Sequence, residues 1–525
     1  MFDLILTGGR VVDGTGVQPF VADVAVLDGK IAAVGDLSEA TAVEVLDVTG
    51  NVITPGFIDV HTHSDQAAFL PDEGEAARVA SVLQGVTTEV IGNCGSTAFP
   101  VSDEFAEQMR KNVKADRGPT GRIFSTLAEY REVMADHTIP VNFAPLVGHG
   151  AIRAAAVGFG RVTPDDAQLA RMQQMLEEAL DHGAFGLSSG LVYAPGVYSQ
   201  PEELYALGQV LARRGSLYTT HMRNEMETVM EAVDEGIEVG RRTGTPVQLS
   251  HIKVAGKVRW GSVDRILERM EQANQDGFDV AGDVYPYTAG STRMRAILPP
   301  WVLEDGVDAM LERLKDPAVR EQVAREYESG LPGWQNFVGA AGWGGIAIAS
   351  APTRPEIQGR SIAELADEAG VTGAQMVADL LVDLNAEVFI VLHMMSEDDV
   401  RTLIADDSML IGSDAIPSLG NPHPRLAGTF ARVLGAYVRD QGISDLATMV
   451  HRMTMMPAAR FRIPDRGRVA EGMIADLAVF DPDRVIDVAT YEDPLQPPGG
   501  MAHVFVGGRA VVHGGRLTDV RPGAV

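Results

Sequence analysis

Residues 57–63 read Phe-Ile-Asp-Val-His-Thr-His, a short apolar run that closes on two histidines one residue apart. In an extended strand residues i and i+2 face the same way, so His61 and His63 can approach one ion from one side. Later strand-like segments close on Cys94, His221, His251 and Asp414. Imidazole, thiolate and carboxylate are all ligands of zinc, and together they make the inventory of a metal hydrolase site. Cys94 sharpens the reading. It is the only cysteine in 525 residues, so it has no disulfide partner within the chain, and it stands in Ile-Gly-Asn-Cys-Gly, a turn after a strand. Taken singly, a His-x-His pair is more often two hydrogen-bonded strand histidines, and a lone cysteine a small buried hydrophobe. Their shared position at strand ends favours a common site.

Working outward, eight strand candidates occur in order at 57–63, 87–94, 142–150, 185–191, 217–222, 247–252, 279–287 and 410–415. Helical patterns fill the gaps, among them 164–182 behind Thr163 as N-cap and 225–243 with an arginine-rich end. The 30 residues between His221 and His251 match one strand-plus-helix unit, and eight such units make a barrel of about 250 residues. Alternation implies parallel pairing, and the expected fold is α/β, a (β/α)₈ barrel. The interval 289–408 is too long for one crossover. It carries helical runs at 307–327 and 361–384 and a strand-like 387–392, and is expected to be an insertion that bounds the substrate pocket as a lid.

Both ends of the chain are β-patterned. Runs at 3–6, 10–12, 23–27, 30–34 and 43–48 are separated by turns such as Leu27-Asp28-Gly29-Lys30, and the same texture returns at 477–480, 503–506 and 509–513. Isolated hairpins of this size are only marginally stable, so one small β-sandwich built from both termini is expected. The expected organisation is 1–55 for its N-terminal part, 56–460 for the barrel and 461–525 for its C-terminal part.

A formal charge of −29 and a pI near 4.7 oppose nucleic acid and anionic membrane as partners, since both recruit Lys and Arg. The N-terminus has no basic, apolar signal pattern and no segment offers 18 uninterrupted apolar residues, so the expected address is the cytoplasm. Nothing in the sequence sets an oligomeric state.

Zinc lowers the pKa of bound water to about 7 and polarises a carbonyl, the two needs of amide hydrolysis. Cys94, His221 and His251 are expected around one tight zinc, with His61 and His63 nearer a second, weaker ion. Asp414, in Ile-Gly-Ser-Asp-Ala, can take the proton of the water and deliver it to the departing nitrogen. All these residues fall at C-terminal strand ends, where barrels of this kind do chemistry.

The chain resembles the amidohydrolase superfamily, and within it the D-aminoacylase or N-acyl-D-amino-acid deacylase family. The motifs run from Gly56-Phe57-Ile58-Asp59-Val60-His61-Thr62-His63 through Gly92-Asn93-Cys94-Gly95, Gly186-Leu187-Ser188-Ser189-Gly190-Leu191-Val192-Tyr193, Thr220-His221-Met222-Arg223-Asn224-Glu225 and Ser250-His251-Ile252-Lys253, to Pro457-Ala458-Ala459-Arg460 and Gly472-Met473-Ile474-Ala475-Asp476. Many amidohydrolases bridge two metals with a carboxylated lysine, whereas the deacylases resemble this chain in placing a cysteine after the second strand. The resemblance implies zinc-dependent hydrolysis of N-acyl-D-amino acids to a carboxylate and a free D-amino acid. It further implies that Lys253, two residues past His251, binds the substrate α-carboxylate with Tyr193, Tyr285, Ser291 and Arg223. Arg293 and Arg295 lie near apolar Ile297, Leu298 and Trp301, which leaves acidic and hydrophobic side chains both open, with the hydrophobic or broad preference favoured. The alternatives are a dihydropyrimidinase, dihydroorotase or isoaspartyl dipeptidase-like enzyme, which commonly rely on the lysine bridge, and a non-catalytic scaffold of the same fold. Among the other histidines, His149 in Gly148-His149-Gly150 is the one expected to line the pocket.

Overall fold

Eight parallel strands close a barrel in the computed structural model, which describes residues 1–117 and 121–525. They are Phe57–Asp59, Val86–Ile91, Asn142–Pro145 resumed as Val147–Gly148, Gly186–Gly190, Leu217–His221, Val247–Leu249, Val280–Val284 and Met409–Ile411. The third strand is a joint. Its first piece pairs with the second strand (Asn142↔Thr88) and its second piece with the fourth (Val147↔Leu187). The ring closes between the eighth and first strands, where Ala415 bridges Thr62 in parallel and the Asp414 N–H donates to the His61 carbonyl at 2.7 Å. Strands covered on both faces read as continuous apolar runs, and all positions of Val86–Ile91 are buried.

Several strands stop short of their sequence limits because the residue with chemistry leaves extended backbone. Cys94 (φ 53°), His251 (φ 38°) and Asp414 (φ 53°) all occupy the left-handed region, which is uncommon for residues other than glycine and costs about 1–3 kcal/mol each. Three strained residues therefore stand together at the mouth of the barrel.

The outer helices follow their caps. Helix Asp166–Asp181 starts after Asp165, which forms a reciprocal capping box with Gln168; Asp165, not Thr163, is the cap because only it has a glutamine three residues on. Helix Val229–Thr243 begins later than the pattern suggests, leaving Glu225 outside the helix and buried.

Between the seventh and eighth strands the chain makes the long excursion. Its helical runs are each divided, the first by Pro317 into Val307–Leu314 and Pro317–Ser329, the second at Gly370 (φ 68°) into Ile362–Ala369 and Gly373–Asp383. An antiparallel sheet ordered Ala289–Arg293, Phe389–His393, Ile346–Ser350 anchors it. Met294, Ile297, Leu314, Ile346 and Leu381 form a core of its own.

The termini share a β-sandwich. Leu477–Phe480 pairs antiparallel with Val52–Pro55 on one side and Met501–Val506 on the other, so one sheet interleaves both chain ends. The facing sheet is ordered Lys30–Gly35, Asp23–Leu27, Phe2–Thr7, Ala42–Asp47, and Leu4, Val24, Ile53, Leu477 and Phe505 pack between the two. The hairpin at Asp28 (φ 50°) and Gly29 (φ 74°) has the left-handed pair that a tight two-residue turn requires. Among the described residues no helix is long and apolar enough to cross a membrane.

Candidate active site

Cys94 Sγ stands 3.3 Å from His61 Nε2, 3.4 Å from His251 Nε2 and 3.7 Å from His221 Nδ1. In a tetrahedral zinc site with Zn–S about 2.3 Å and Zn–N about 2.0–2.1 Å, sulfur and nitrogen ligands stand about 3.6 Å apart. The donor spacing therefore fits that ion. Each imidazole also turns its other nitrogen to a buried carboxylate: His61 Nδ1 to Asp283 at 3.3 Å, His251 Nδ1 to Glu225 at 3.3 Å, and His221 Nε2 to Glu225 at 3.7 Å. Such outer carboxylates orient ligating rings and raise their basicity.

The sequence expectation grouped His61 with His63 apart from the sulfur. In the structure His61 is as close to Cys94 as any other ring, and also 3.5 Å from Asp414 Oδ1, while His63 Nε2 reaches the same oxygen at 3.2 Å. One contiguous cluster results, with donor atoms of His61, Cys94, His251 and Asp414 all within 4.8 Å of one another. His221, Glu225 and His251 form an overlapping second group.

Burial pushes the Cys94 thiol up, but His61 and His251 outweigh it and hold the group well below its ordinary value. Burial likewise opposes ionisation of Asp414, yet Arg425, 2.9 Å from Oδ2, together with His251, His63 and His61 holds it well below the carboxylate range. Glu225 behaves the same way: burial raises it, and Lys253 with the two histidines lowers it further.

Lys253, Tyr285 and Arg425 adjoin this cluster. Lys253 Nζ donates to Glu225 at 2.6 Å and lies 2.7 Å from His251 Nδ1; the Tyr285 ring meets both its ammonium, at 5.5 Å, and the Arg425 guanidinium, at 4.9 Å. Arg425 also donates to the Ser291 carbonyl at 3.2 Å. Tyr193 meets His221 edge-on at 4.9 Å, shares a 3.2 Å hydrogen bond with Thr292 and covers the Arg293 guanidinium at 5.0 Å. A cavity of about 40 Å³ opens beside Cys94, lined by Tyr193, Asn112, Arg293 and Arg295 with apolar Met109 and Phe159; Arg295 donates to Asn112 at 3.3 Å.

Two sequence-predicted residues lie away from the cavity beside Cys94. Arg223 donates to Glu235 at 2.8 and 2.9 Å and to the Val197 carbonyl at 3.0 Å, and faces a separate cleft that contains Trp301 and Trp334. Strand alternation cannot place it, because the strand ends at His221. His149 is fully buried against Glu203 at 2.7 Å and is not part of the cavity wall. Four contributors went unread in the sequence: Asp283, Glu225, Arg425 and Gln335, the last an insertion residue that accepts from the Glu225 N–H at 2.7 Å. Asp283 left one signal, a carboxylate inside an apolar strand.

Residues 44–512 match the Amidohydrolase family. The N-acyl-D-glutamate deacylase of Alcaligenes xylosoxydans xylosoxydans is 36% identical over 511 residues, covering 97% of this chain and 93% of that protein. The D-aminoacylase of the same organism is 35% identical over 524 residues, covering 100% of this chain and 97% of that protein. The crystal structure of the N-acyl-D-glutamate deacylase from Bordetella bronchiseptica, complexed with zinc and a phosphonate mimic of the tetrahedral reaction intermediate, aligns with a TM-score of 0.85 at 33% identity over 100% of this chain and 99% of that one.

Proposed function

We infer the function from the premise that the chain belongs to the amidohydrolase family: it hydrolyses the amide bond of N-acyl-D-amino acids, using zinc, and releases a carboxylate and a free D-amino acid. The observation that carries this is the sulfur of Cys94 ringed by three imidazoles, each backed by a buried carboxylate, in a chain similar over its full length to deacylases of this substrate class.

Cys94, His221 and His251 would hold the tight zinc, and His61, His63 and Asp414 offer donors to a second, weaker ion. Bound there, zinc supplies Lewis acidity that acidifies water and polarises the acyl carbonyl. Asp414 accepts the water proton at Oδ1 and hands it to the nitrogen as the C–N bond breaks. Arg425 fixes the other oxygen of that carboxylate, so the accepting lone pair keeps one direction. Lys253, with Tyr193, Tyr285 and Ser291, receives the substrate α-carboxylate, and the cavity beside Cys94 takes the side chain. Carboxylate, acyl group and side chain then have fixed directions at the α-carbon, which admits one enantiomer. The partner is a small molecule, and the cytoplasm is the compartment that suits an acidic chain with one free thiol.

A panel of N-acetyl amino acids of both hands, with apolar and acidic side chains, tests the reading by released amine. Amine is expected from D-compounds only and is lost on chelation of the metal. Preferential release from L-compounds, or none from any D-compound, would sink it.

A further inference from the structure

We propose that Ser188 is a positioning residue that sets the posture of Cys94; this rests on the reading of Cys94 as a metal ligand. Cys94 projects from the turn Gly92-Asn93-Cys94-Gly95, in which Gly92, Cys94 and Gly95 have φ of 80°, 53° and 70°. Such a turn belongs to no ladder, so other groups must fix it. Ser188, in the fourth strand and fully buried, spans it with one oxygen: its hydroxyl donates to the Gly92 carbonyl at 2.5 Å and accepts from the Gly95 N–H at 3.0 Å. A hydroxyl has one proton to give and lone pairs to receive, so both bonds are made at once.

The surroundings leave the turn little other room. A Cβ on Gly190 would lie 2.1 Å from the Cys94 carbonyl oxygen, and one on Gly148 would lie 2.6 Å from that of Gly95. On the far side Asn93 Nδ2 donates to the Val90 carbonyl at 2.9 Å. Sγ must meet three imidazoles at 3.3–3.7 Å simultaneously, and a turn released at both ends from Ser188 no longer holds it there. The next residue provides the control. Ser189 is equally buried and its backbone also passes Gly95, but its hydroxyl bonds Tyr218 Oη at 2.6 Å and Thr220 at 2.8 Å instead of the Cys94 turn.

The test compares Ser188→Ala, Ser189→Ala and Cys94→Ala in the full-length protein. Zinc affinity is measured by competition with a chromophoric chelator, and the thiolate-to-metal charge-transfer band is recorded after Co²⁺ loading. Ser188→Ala should weaken zinc binding by about 10- to 100-fold, the usual cost of losing an outer-shell partner, and should shift or weaken the band, while Ser189→Ala leaves both as in the native protein. Equal affinity and an unchanged band in Ser188→Ala and Ser189→Ala would overturn the proposal. Normal zinc in Cys94→Ala would instead overturn the ligand assignment on which it rests. Should Ser188→Ala not accumulate folded, Ser188→Cys, which keeps the shape and weakens both hydrogen bonds, is compared with Ser189→Cys by the same two measurements and the same criterion.

Discussion

Lys253 and Glu225 meet at 2.6 Å with side chains only 7% and 1% exposed, so the cation assigned to the substrate carboxylate is already the counter-ion of a buried acid. Removing one member of a buried pair strands the other, at about 3–5 kcal/mol. Lys253→Met should therefore lower thermal stability, and adding Glu225→Gln should restore part of it. Strictly additive losses in the double variant would show that the two side chains are not coupled. In kinetics, Lys253→Met should raise KM for N-acetyl-D-amino acids and change little for analogues whose α-carboxylate is an amide.

Cys94→Ala should remove both tight zinc and hydrolysis, because no other thiolate exists in the chain to replace it. Elemental analysis at equal protein concentration checks this, and a native zinc content would take Cys94 out of the ligand set.

Asp414→Asn should keep the fold while lowering kcat by about 10²-fold or more, the scale of losing a general acid/base. Arg425 holds Asp414 far below the ordinary carboxylate range, so protonation of Asp414 should not be the source of any acid limb above pH 5 in the native pH–rate profile. Near-native turnover in the variant, with metal retained, would return Asp414 to a structural role.

Glu203 provides a pH test outside the candidate metal cluster. Burial raises its pKa, but His149 and Arg153 win and depress it below the ordinary value. A depressed folded pKa gives stability that is complete above the unfolded value of about 4.3 and is lost as pH falls through the folded one. Glu203→Gln should accordingly lower stability near neutrality and flatten its fall between pH 5 and 3, by up to about 1.4 kcal/mol per pH unit for one proton. Urea midpoints across that range read the slope; an unchanged slope would rule out Glu203 as a contributor.

The candidate metal donors were legible because each lies at or within four residues past the end of a barrel strand and carries unusual chemistry for its place. Their supports were not. Asp283, Glu225 and Arg425 act through contacts with His61, Lys253 and Asp414 that only the closed barrel creates. Arg223 and Lys253 show the limit of periodicity: each lies two residues past a histidine, yet one turns to Glu235 and the other reaches His251. Strand alternation governs neither, since the sixth strand ends at Leu249 and the fifth at His221. The insertion helices were found as runs but not as pairs, because Pro317 and Gly370 interrupt patterns whose apolar faces continue into one core.

The excursion between the seventh and eighth strands leaves through Ala289–Arg293 and returns through Phe389–His393, and these segments are hydrogen-bonded neighbours, with Ala289 opposite His393 and Arg293 opposite Phe389. Whatever hangs from that stem starts and finishes at one place, and for a flexible loop each doubling of length adds only about 0.6 kcal/mol to the cost of closure. The stem and the residues just after it carry Ser291, Arg293 and Arg295, while the barrel carries the cluster of His61, Cys94, His251 and Asp414. A change of length between Arg293 and Phe389 therefore leaves both ends of the stem, and the barrel from which they spring, where they are.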